Sequence, residues 1–110
     1  MSVVTNVILS IGIRDALNKK ITEINRFFEQ SGGRGLVSMD DPALPEGWYG
    51  GSKMLEAYLY VGAFNHLDLT GFYKHLQSLS WEQPESVQLI IREQEDFALR
   101  LINLFPEAID

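Results

Sequence analysis

The amino-acid sequence predicts an α+β fold, an antiparallel sheet with helices packed on one of its faces. Three observations carry that expectation. The N-terminal segment alternates like a strand, the segment after it repeats apolar residues at helical spacing, and a strand–helix–strand pattern follows further along. The chain has 110 residues, 45% of them hydrophobic and 22% charged. That is enough for one domain, residues 1–110, with a core of its own.

Val3 to Ile11 opens the chain as a strand rich in β-branched residues. Val3, Thr5, Val7, Leu9 and Ile11 fall on one side, and Val4, Asn6, Ile8 and Ser10 on the other. One side nearly all apolar and the other half so is the mark of a central strand. From about Arg14 to Gln30 the sequence predicts a helix, with Ile13, Leu17, Ile21, Ile24 and Phe28 as its inward stripe. Asp15 sits in its first turn, where the helix dipole favours negative charge. Ser31, Gly32 and Gly33 are expected to end it.

Leu36 to Met39 predicts a short second strand and Met54 to Phe64 a third. In the third, Leu55, Ala57, Leu59, Val61 and Ala63 are expected on the core side, and Met54, Glu56, Tyr58 and Tyr60 on the outer side. Asp68 is placed to cap a second helix running to about Leu79, with Leu69, Phe72, Leu76 and Leu79 turned inward. Trp81 to Pro84 connects to a fourth strand marked by Val87, Leu89 and Ile91. The last stretch reads either as a helix or, more in keeping with the polar run after Ile91, as a hairpin turning at Gln94–Asp96. The order β-α-β-β-α-β plus a last strand (or helix) suits a ferredoxin-like sandwich with both helices on one face. Architecture of this kind does not assign function.

Composition narrows the function classes. Cysteine is absent, so there is no disulfide framework and no thiolate chemistry, which fits a cytoplasmic setting. Net charge is −6 with only nine Lys and Arg, so nucleic acid is not an expected partner. No apolar run reaches the roughly 18 residues that cross a bilayer, so no membrane partner is expected either. The N-terminus lacks the basic residue and cleavage site of a signal peptide.

Candidate residues fall into two groups. The first is an interaction surface: Trp48 and Tyr49 in the irregular 40–53 loop, and Tyr58, Tyr60, Ile90 and Arg92 on the sheet face that helices would leave open. An aromatic pair in an irregular loop either folds back over a hydrophobic edge or anchors a partner, and a self-complementary sheet face suits a homodimer. The expected function is a non-enzymatic protein-interaction module, a small acidic accessory, inhibitor or immunity-type protein. The alternative is a small enzyme or ligand-binding domain with a pocket at Asn65, His66 and Asp68, the strand-to-helix corner. His75 lies two turns beyond Asp68, so a site joining His66, Asp68 and His75 is conceivable from spacing alone. No catalytic group, metal site or cofactor fingerprint is expected: DDPALPEG lacks the alternating oxygens of a calcium loop, and GWYGGSK lacks the Walker order.

Overall fold

The computed structural model describes residues 4–29, 35–39 and 58–105. The 40–53 loop with Trp48 and Tyr49, the expected helix stop at Ser31–Gly33 and residues 54–57 lie outside the described residues. The elements are β1 (Val4–Ile11), α1 (Ile13–Leu17), α2 (Lys20–Glu29), β2 (Val37–Ser38), β3 (Tyr58–Asn65), α3 (Leu69–Ser78), β4 (Gln88–Glu93) and β5 (Arg100–Ile102), with a 3-10 turn at Pro84–Ser86 before β4. The five strands form one antiparallel sheet in the order β2-β3-β1-β4-β5. β1, the strand of highest β-branched content, is at the centre.

One face of this sheet is the core. Val7, Leu9 and Ile11 of β1, Tyr60 of β3, and Leu89 and Ile91 of β4 bury against Ile24 and Phe28 of α2 and Phe72 and Leu76 of α3. Each such side chain contributes about 1.5–3 kcal/mol on leaving water. Phe28 stacks on Phe64 at 4.4 Å between ring centroids and leans on Phe72 at 5.3 Å. Those two contacts tie α2 to the sheet and to α3. The start of α3 is set as expected, since the Asp68 carboxylate accepts from the Gly71 amide at 3.1 Å.

The first helix is two helices, not one. Lys19 adopts the left-handed conformation, φ 56, which breaks the hydrogen-bond ladder between α1 and α2. Ile13 and Leu17 consequently miss the core and stand 49% and 71% exposed. Asp15 explains why α1 points elsewhere. Its carboxylate is fully buried and accepts from the backbone amides of Glu82 and Gln83 at 3.0 and 3.1 Å. The Gln83 side chain returns the contact, accepting from the Arg14 amide at 2.9 Å. It occupies the space over Gly12, where a Cβ would approach its Oε1 to 2.5 Å. α1 is thus clasped to the connector before β4. Losing the carboxylate would remove two hydrogen bonds to partly buried amides, at about 1 kcal/mol each.

β3 faces the opposite way from the sequence expectation. Tyr60 pairs with Leu9 and Tyr58 with Ile11, and directly paired residues share a face. Both tyrosines therefore lie on the helix side, where Tyr60 is buried and Tyr58 is exposed at the margin. Leu59, Val61 and Ala63 point to the open side. The physical reason lies in Gly62, which pairs with Val7 on the helix face. A Cβ there would come within 2.7 Å of the Phe64 ring and 3.0 Å of Leu36. The missing side chain makes room for Phe64 to lie flat against Phe28. Aromatic fit to the helices, not aliphatic content, selects the buried face.

The C-terminal stretch is a hairpin. β5 pairs with β4 through Leu89↔Ile102, Ile90↔Leu101 and Ile91↔Arg100. Its turn is held by side chains rather than by glycine. Asp96 accepts from the Glu93 amide at 2.9 Å and from Arg100 Nε at 3.0 Å, and Arg100 also reaches Glu93 at 2.9 Å. Past β5, buried Leu104 presents its carbonyl to Gln77 Nε2 at 3.1 Å.

Candidate interaction surface

The side of the sheet away from the helices carries one continuous feature. Pairing runs Val37↔Val61, Val61↔Ile8, Ile8↔Ile90 and Ile90↔Leu101. Five apolar side chains, one from each strand, therefore stand in a single row across the whole sheet. Four strand spacings make that row about 19 Å long. Leu101 at its end is 64% exposed, and Val37, Val61, Ile8 and Ile90 are half-buried. Neighbouring strands account for part of that cover. No described helix contributes a residue to this face.

The flanking rows mix polar and apolar side chains and are almost uncharged. Leu59, Ser10 and Gln88 line one side, and Ala63, Asn6 and Arg92 the other. Asn6 is fixed by donating from Nδ2 to the Arg92 carbonyl at 3.1 Å. Arg92 is the single charged residue among the described strand residues of this face. Of the fifteen carboxylates in the chain, none belongs to the described strand residues of this face.

The β4–β5 connection also exposes apolar side chains, with Leu99 56% exposed and Phe97 wholly so. The ion pairs of Arg100 with Glu93 and Asp96 rigidify that connection. Hydrogen bonding from the Glu93 amide, with Arg100 beside it, holds the Asp96 carboxyl below its usual range.

Of the residues that sequence reasoning placed on this face, the structure keeps Ile90 and Arg92 and moves Tyr58 and Tyr60 to the helix side. Val37, Val61 and Leu101 were missed. Period-two alternation could have supplied Val61 had β3 been read in the other parity, but Val37 and Leu101 need the pairing register. Trp48 and Tyr49 lie outside the described residues.

Asn65, His66 and Asp68 are all exposed, His66 in a left-handed turn conformation, φ 53. Asp68 is engaged in capping α3. His75 turns to α2 instead, donating from Nε2 to the Glu23 carbonyl at 2.9 Å with its ring 5.6 Å from that of Phe27. Because that acceptor is a carbonyl, the proton must be on Nε2. Among the described residues no group of three or more His, Asp or Glu is arranged to hold a metal ion. No helix among them is long and apolar enough to cross a membrane.

Comparison with known proteins finds no match to this chain among family models, curated proteins or solved structures.

Proposed function

We propose that the chain is a non-enzymatic protein-interaction module that docks a partner on the open face of its sheet. The observation that carries this reading is the unbroken apolar row Val37–Val61–Ile8–Ile90–Leu101. A contiguous, partly exposed apolar row flanked by largely uncharged side chains is what association surfaces offer. A lone Arg92 gives nucleic acid too little to hold. The strand order β2-β3-β1-β4, with helices on one face, supports naming the architecture ferredoxin-like with β5 added beside β4. A cysteine-free acidic module of this kind suits the cytoplasm.

Cross-linking in a lysate of the source cell tests the docking reading. Wild type is compared with Ile90→Arg, in the row, and Thr70→Arg, exposed on α3. The row variant should lose the cross-linked species that both others form. Identical species from all three proteins would refute docking at this face.

A further inference from the structure

We infer that the partner on this face is a second copy of the chain, in a two-fold dimer that lays one apolar row along the other. The inference rests on the docking reading above and adds the identity of the occupant. Charge is the first argument. A basic partner would be met by carboxylates, yet the described strand residues of this face hold none in a chain of net charge −6. The face is therefore a place where two acidic molecules can touch without bringing like charges together.

Symmetry is the second argument, because a two-fold contact must complement itself. With Ile8 at the centre, a two-fold axis parallel to β1 sets Ile8 on Ile8, Val61 on Ile90 and Val37 on Leu101. An axis along the row keeps each residue on its own equivalent. Arg92 avoids its own equivalent in both cases, meeting Ala63 of the partner subunit in the first and Gln88 of the partner subunit in the second. Along the row apolar meets apolar, and the one cation meets a neutral group.

Area sets the strength. Strand spacing and rise give about 16 Å² of sheet per residue, so the described strands cover about 430 Å² per copy. Two copies bury just under the ~1,000 Å² at which specific interfaces begin. The dimer is accordingly concentration-dependent, forming in the micromolar range rather than permanently.

Sedimentation velocity at about 5 and 200 μM, roughly bracketing that range, is the test. It is run on wild type, Leu101→Asp and Ile90→Arg, with far-UV circular dichroism on each. Leu101 is chosen because its exposure makes misfolding on substitution the lesser risk. Wild type should shift to dimer at the higher concentration, while at least the Leu101 variant stays folded and dissociates at least tenfold more readily. Raising salt should leave the dimer intact or tighten it, since only net repulsion is screened. A wild-type monomer at both concentrations overturns the second copy. The docking reading would then survive only if the cross-linking loss with Ile90→Arg is still observed. Dimers equally strong in all three proteins, or a dimer dispersed by salt, would also overturn the inference.

Discussion

The two faces of this sheet are built from the same strands and differ in what the helices choose to cover. Along β1, Val7, Leu9 and Ile11 are buried to 4% exposure or less, while Val4, Asn6, Ile8 and Ser10 between them are only half-covered. Apolar content alone does not separate the two sets, because Ile8, Ile90, Val61 and Leu101 are as hydrophobic as their buried neighbours. Shape does. The helix face offers Tyr60, a gap at Gly62 and the flat ring of Phe64, into which Phe28 and Phe72 fit. The open face carries an aliphatic row, one residue from each strand. Surface of that kind suits another sheet better than a helix, since stacked sheets interleave flat aliphatic faces.

Substitutions at neighbouring positions break the comparison most directly. Leu9→Ala leaves a cavity under the helices and should cost about 2–5 kcal/mol in denaturant unfolding. Ile8→Ala, one residue away on the open face, should cost about 1 kcal/mol or less when measured at a concentration where the protein is monomeric. Equal costs would erase the distinction between the faces.

A smaller effect sharpens it at the hairpin that carries Leu101. Asp96 holds its proton less tightly in the folded state than in the unfolded chain. Below the ordinary carboxylate range, near pH 4, the unfolded chain takes up that proton first, so stability falls as pH drops through the folded value. Above about pH 5 the contribution is fully present. Between about pH 5 and 3 wild type should therefore lose slightly more stability than Asp96→Asn, read as a steeper fall in thermal midpoint. Parallel curves would show that the Glu93–Asp96–Arg100 contacts do not persist in solution.

Local signals made much of the fold legible. β1 has its alternation, α3 has Asp68 ahead of an inward Leu69, Phe72 and Leu76, and the polar run after Ile91 marks the hairpin. What escaped depended on contacts between distant segments. Asp15 looks like a dipole-friendly charge in a first turn, whereas its role is to accept from Glu82 and Gln83 sixty-odd residues away. Lys19 carries no breaker residue, so the left-handed turn that splits the helix has no sequence mark. β3 has apolar residues on both sides, and only the packing of Phe64 over Gly62 decides its parity. The site inherited that error. Ile90 and Arg92 were readable, but two tyrosines were placed on the wrong side, and the row emerges only once five strands are in register.

The most direct test of the central claim, that the row faces outward and is free to dock, is a pair of variants at adjacent positions of β4. Ile90→Arg and Ile91→Arg are compared by near-UV circular dichroism and thermal unfolding. Ile90→Arg should show a native spectrum and a cooperative transition. Both should be lost in Ile91→Arg, whose charge would enter the core without a partner. A folded Ile91→Arg beside an unfolded Ile90→Arg would contradict the claim.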